Sequence, residues 1–170
     1  VELVDDTMIE LARSIPIFQP TVEEAVRGNP AALLLVEFAE KDMAENERRL
    51  RQLHEMMGDL GFGWDKDTAR RGGVVDAIEP GVQGRIAEWR KSGLNIMMSE
   101  KSEAKPVSFL EDCAVELKDL AEYTDKLSAI FDRNGVKGTW YAHASVGCLH
   151  VRPVLNLKQV GGAETMRAIA

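Results

Sequence analysis

Two histidines, His143 and His150, stand seven residues apart in GTWYAHASVGCLH (138–150), with Trp140, Tyr141, Gly147 and Cys148 around them. Imidazole binds divalent metals and carries protons near neutral pH, so this pair is the strongest chemical signal in the chain. In one unbroken strand an odd separation would send the two rings to opposite faces. A helix would put them on one face, but Gly147 and the β-rich flanks oppose a helix. A hairpin resolves the conflict. With Val146–Gly147 as a two-residue turn, Ser145 faces Cys148 and His143 faces His150, with Cβ atoms roughly 4.5–5.5 Å apart. Valine is a poor first residue for such a turn, and a looser loop would also bring the rings together. Catalytic zinc takes three protein ligands and an open position. Two histidines fall short of that, and spacing alone favours sheet histidines bonded to neighbours over a metal site.

The other chemical candidates are weaker. Arg90 in EWRKSG offers a planar fork for a carboxylate, against the plain reading of an exposed helix arginine. Glu111 and Asp112 close a strand and read as caps for the helix that follows more readily than as acid–base groups. Neither Cys113 nor Cys148 belongs to a CxxC, and both read as small core residues. The third histidine, His54, falls on a separate long helix. RRGGVV lacks the preceding strand and following lysine of a phosphate-cradling loop. Trp64, Trp89, Met97 and Met98 read as core filling.

These residues must be held by one domain. At 170 residues with 45% hydrophobic content the chain is long enough for a single core. A net charge of −7 argues against nucleic acid, which wants a basic face. Two cysteines suit a reduced cytoplasmic protein. No apolar run nears the roughly 20 residues that span a bilayer, and no signal peptide opens the chain. The chain begins VELVDD without methionine and stops at ETMRAIA inside a helical pattern. It reads as a fragment.

Two segments share one plan. In the first, about 31–67, the apolar run AALLLVEFA predicts a buried strand. A helical stripe of Met43, Leu50, Leu53, Met57 and Leu60 follows, then the strand-like FGWDKDT. In the second, about 105–157, KPVSFLEDCAV predicts a strand, and Leu117, Leu120, Thr124, Leu127 and Phe131 a helix closed by Gly135. Two strands, GTWYAHA and CLHVRPVLNL, complete it. Strand, helix, strand, twice over, predicts an α+β, ferredoxin-like split βαβ sandwich: an antiparallel sheet with helices on one face. Residues 68–104 fit neither unit and predict an insertion, helical from 79 to about 97. The first 30 residues predict short helices at 7–14 and 22–26.

Together, PVSFLEDCAVELKDLAEY and GTWYAHASVGCLHVRPVLNL resemble the C-terminal domain of FAD-linked oxidases, the family of D-lactate dehydrogenases, the glycolate oxidase flavin subunit and D-2-hydroxyglutarate dehydrogenases. The resemblance runs from VELVDD through WRKSGL to the histidines, and is nearest the long bacterial flavin and iron–sulfur fusions. It implies that His143 and His150, on the family's His-x-Gly-Asp-Gly-Asn-Leu-His pattern, bind a divalent metal, with zinc expected, and serve catalysis on a small 2-hydroxy acid. It places Arg90 on the substrate carboxylate. Ser145, Val146 and Cys148 depart from the pattern, and Cys148 stands where an asparagine can touch substrate. The family's third ligand, a glutamate in Glu-His-Gly, has no match here and is expected outside the chain.

The resemblance further implies that FAD is bound mainly by a preceding FAD-binding domain, and that an iron–sulfur cluster belongs to the parent alone. The expected function is oxidation of a D-2-hydroxy acid to the 2-oxo acid, with no turnover by the fragment itself. Association with a membrane would run through the parent's electron-transfer partners, and a homo-oligomer is compatible with the sequence. Two other readings stand beside it. One is a non-catalytic α+β interaction module with structural histidines. The other is a self-contained metallohydrolase drawing on His54 and Glu111, for which spacing gives no logic.

Overall fold

The computed structural model describes residues 1–64, 70–99 and 101–170. The chain forms an α+β domain built on an antiparallel six-stranded sheet. Its strands are β1 (Glu2–Asp5), β2 (Ala32–Leu35), β5 (Lys105–Pro106), β6 (Leu110–Ala114), β7 (Gly138–His143) and β8 (Cys148–Leu155). The order is β2-β1-β7-β8-β5, with β6 also paired to β8. The helices are α1 (Asp6–Ser14), α2 (Gln19–Ala25), α3 (Met43–Asp59), α4 (Pro80–Lys91), α5 (Gly93–Met98), α6 (Leu120–Arg133) and α7 (Gly162–Ile169).

The second unit forms as its pattern requires. Leu127 and Phe131, one helical turn apart on α6, pack on Ala142, Leu149, Val151 and Leu155 of the sheet, and Ile169 of α7 joins them. Phe131 meets Trp140 at 5.9 Å between ring centroids, tilted by 55°, a geometry that aromatic quadrupoles favour. Alternation along the strands then assigns the other sheet face to Tyr141, His143, Cys148, His150 and Arg152.

The first unit departs from its expected form. β2 alternates exposed and half-buried residues, with Leu34 at 51% exposure, because it is the edge strand beside β1. β3 (Phe62–Gly63) leaves the main sheet and pairs in parallel with β4 (Arg70–Arg71); residues 65–68 of the expected strand lie outside the described residues. α3 carries no buried residue. The place in the sheet goes to β1, a four-residue strand too short to show a period.

A second apolar cluster joins the N-terminal helices to the insertion: Val4, Met8, Ile9, Ala12, Val22, Val26, Trp89, Ile96 and Met97, with Tyr141 at its margin. Trp89 and Met97 are core residues as expected, whereas Trp64 and Met98 are exposed. The expected insertion helix breaks at Ser92 into α4 and α5, where a Cβ on Gly93 would lie 2.8 Å from the Met8 methyl carbon. Asp5 ties this half to the sheet. Its carboxylate caps α1 by accepting from Met8 N at 2.9 Å, and it accepts from Trp140 N at 2.7 Å and the Thr139 hydroxyl at 3.2 Å. Burial pushes its carboxyl above the ordinary value, and those hydrogen bonds pull the other way. Trp89 and Arg90 are thereby carried to the sheet face that bears the histidines.

Candidate functional site

The two histidines lie on one sheet face, through a register different from the expected one. β7 ends in a single 3-10 turn, Ala144–Val146, and Gly147 closes the loop in the left-handed region at φ 67°. His143 therefore pairs with Cys148, and His150 with Tyr141. The shift is by two residues, and an even shift keeps every side chain on its face. The rings of His143 and His150 lie 5.2 Å apart, edge to face. Tyr141 stacks on His150 at 4.5 Å. Desolvation of the Tyr141 hydroxyl and the nearby Glu111 charge raise its pKa.

Each histidine is held by a carboxylate. Nδ1 of His143 lies 2.8 Å from Glu2 Oε2, and Glu2 Oε1 lies 2.5 Å from a guanidinium nitrogen of Arg90. Nδ1 of His150 lies 2.9 Å from Asp112 Oδ1. A carboxylate at Nδ1 orients the ring and presents Nε2 for a ligand. Arg90 thus stands beside Glu2 on the His143 side, exposed.

β6 supplies the second wall through a bulge. Leu110 pairs with Val151 and Cys113 with Leu149, so Glu111 and Asp112 together oppose the single residue His150. Asp112 has φ 59°, the only positive value at a non-glycine position among the described residues, as a bulge of this kind requires. The expected capping role for these two residues is therefore incorrect. Glu111 binds the buried Arg152, and Asp112 binds His150; the helix they precede starts without a side-chain cap. A pleated strand shows one residue at a time, and only the extra residue turns both acids toward β8.

Glu111 accepts from the Ser108 hydroxyl at 2.7 Å and from Arg152 Nε. Burial raises its carboxyl pKa, but the Ser108 bond, the Arg152 guanidinium and the His150 charge outweigh it and hold the group below the ordinary 4.5. A depressed carboxylate stabilises the fold above its unfolded pKa, and that contribution is lost as pH falls through the folded value. The stability of this domain is therefore expected to decline below about pH 4.5, and Glu111→Gln should flatten that part of the profile while lowering stability at neutral pH. Unfolding midpoints across the acid range check this.

Asp112, Cys148 and His150 bring ligand atoms within 4.8 Å of one another. Nitrogen, sulfur and carboxylate oxygen are all zinc donors, so this set fits a divalent metal. His54 lies 2.9 Å from Asp76 and belongs to no metal-capable group among the described residues, so the metallohydrolase reading finds no assembled site among them. Glu2, Tyr141 and Arg152 were not legible as site residues. Strand alternation from His143 and His150 points to Tyr141 and Arg152 once the face is known, but Glu2 has no local signal.

The fold and these residues define an α+β domain with a metal-capable histidine site on one sheet face. Residues 1–170 match the model of the FAD linked oxidases, C-terminal domain, and the chain belongs to that family. It is 32% identical over 169 residues to the D-2-hydroxyglutarate dehydrogenase of Pantoea ananatis, covering 92% of this chain and 15% of that protein. It is 30% identical over 164 residues to the enzyme of that name from Escherichia coli, with the same coverage. The Pseudomonas putida dehydrogenase of that name is 26% identical over 174 residues, covering all of this chain and 17% of that protein. The chain thus spans about one sixth of these relatives' length. Among the described residues no helix is long and apolar enough to cross a membrane.

Proposed function

We propose that this chain is the substrate-side domain of an FAD-dependent dehydrogenase that oxidises a D-2-hydroxy acid, of the D-2-hydroxyglutarate class, to the 2-oxo acid. The observation that carries the reading is the meeting of His143 and His150 on one face, 5.2 Å apart, each backed by a carboxylate. His143 and His150 would hold a divalent ion, with zinc the expected metal, and a bound ion would supply the positive charge that favours loss of the 2-hydroxyl proton. FAD, held mainly by a separate domain of the same protein, would supply the two-electron oxidation, in which C2 loses a hydride and the 2-hydroxyl a proton.

The chain's own residues do the positioning. Glu2 and Asp112 aim the two imidazoles, and Tyr141 fixes the plane of His150 by stacking. Arg90 stands exposed at the His143 side, where its planar fork takes the substrate carboxylate alongside or in exchange for Glu2. Cys148, opposite His143, borders the same space and contributes to substrate selection. Holding C2 in line with the acceptor is the entropic part of the catalysis. This domain without its flavin domain is expected to show no turnover.

The experiment is visible absorption of the full-length protein mixed with a panel of D-2-hydroxy acids, with and without a chelator. Flavin bleaching by D-2-hydroxyglutarate that fails after chelation is the expected result; bleaching indifferent to the chelator overturns the metal role. A second reading, a non-catalytic module with structural histidines, is favoured by the Glu2 and Asp112 ion pairs themselves. It expects no flavin and no response to any of the acids.

A further inference from the structure

We propose that α3 pairs with α3 of a second copy of this chain, antiparallel, in a short two-helix coiled coil. The starting observation is an amphipathic helix with no core to cover. From Met43 to Leu60 the apolar residues fall on a heptad: Met43, Leu50 and Met57 at its a positions, Leu53 and Leu60 at d, with Asn46 as the remaining d residue. Such a stripe ordinarily packs against a partner. Here no residue of α3 is buried, and neither apolar cluster of the domain includes one. Met43 is 63% exposed and Leu60 53%, with Leu50, Leu53 and Met57 half-buried. The helix is held by its own surface instead: Asp42 caps it, and Glu45 binds both Arg48 and Arg49.

The residues along the stripe select a second copy as the occupant. About a two-fold axis between Arg51 and Gln52, antiparallel pairing sets each a residue against a d residue of the other copy. Leu50 then meets Leu53 in both central layers, Met43 meets Leu60 at the ends, and Met57 meets Asn46 between them. Asn46 suits that place because its amide is already engaged, accepting from Glu40 N at 2.9 Å and donating to Glu40 O at 3.1 Å. One surface thus serves both copies, as an isologous contact requires.

The flanking charges select the direction. In an antiparallel pair e faces e and g faces g, so Glu47 meets His54 of the other copy and Arg49 lies along Met56. A parallel pair would face each g with the following e. That sets Asp42 against Glu47 and Arg49 against His54, like against like.

The test is the mass of the full-length protein in solution, by light scattering over a dilution series. Wild type should be a dimer or a larger even-numbered oligomer. Leu50→Glu, and separately Leu53→Lys, should each halve that mass with circular dichroism unchanged. Each puts one unpaired charge into both central layers, weakening association at least about 100-fold. Gln52→Glu, on the outward side of the heptad, should leave the mass as it was. Mixing the Leu50→Glu and Leu53→Lys proteins should restore the wild-type mass, because the mixed dimer sets the introduced carboxylate against the introduced ammonium in one layer and leucine against leucine in the other. A monomeric wild type overturns the proposal, as does a mass unmoved by both core substitutions or lowered equally by Gln52→Glu. Masses that fall but are not restored on mixing overturn the antiparallel pairing.

Discussion

Replacing Gly147 with alanine is expected to dislodge the histidine hairpin. Gly147 sits at φ 67° between the 3-10 turn and β8, and a Cβ there would lie 2.0 Å from the carbonyl oxygen of Val115. The left-handed conformation alone costs an L-residue about 1–2 kcal/mol. The overlap is worse, because the obstacle is backbone, and Val115 N is itself bonded to Gly147 O at 3.0 Å. The loop and the end of β6 must part, and the hydrogen bond between them goes. A total of about 3 kcal/mol or more follows, lowering the unfolding midpoint by about 6–12 °C in a domain of this size. Calorimetry of the full-length protein measures it. Gly147→Asn separates the two causes: asparagine tolerates the left-handed region but still carries the Cβ, so a midpoint as low as alanine's places the loss in the Val115 overlap. A near-native midpoint for alanine would mean that the loop relaxes freely.

His150→Ala is expected to have the largest effect on activity. It removes the Asp112 partner, the ring stacked on Tyr141 at 4.5 Å and one of the two imidazoles proposed to hold the ion. Loss of metal-based charge stabilisation removes several kcal/mol from the transition state, and at about 1.4 kcal/mol per factor of ten kcat/KM should fall roughly 10³-fold or more. Asp112→Asn, which alters a more exposed partner, should cost about 10–100-fold. Steady-state kinetics of both variants, with zinc content measured beside them, give the comparison. A His150→Ala enzyme within about tenfold of wild type would remove this residue from the chemistry.

The amount of the site that could be read in advance follows from how local each signal is. The meeting of His143 and His150 was legible, because an odd spacing around a glycine in β-rich sequence demands a hairpin. The register was not, since a two-residue turn and the observed four-residue loop satisfy the same parity. Glu111 and Asp112 looked like helix caps because an acid pair between a strand and a helix ordinarily is one. Their true direction depends on a one-residue bulge, which leaves no mark in the β6 sequence and exists only against β8. Glu2 lies 141 residues from His143, and no short-range pattern connects them.

The sequence by itself determined the α+β class, the α6 stripe and the strands it covers, the family, and the histidine pair. Each rests on periodicity or motif within a few tens of residues, where side-chain direction is set by the local backbone. Tertiary structure alone decided that β1 enters the sheet, that AALLLV becomes an edge strand, and that Glu2 and Asp112 meet the two imidazoles. Those are pairings between distant segments, chosen by which apolar faces can be buried together. A charged group such as Glu2 takes its partner only after that burial has placed it.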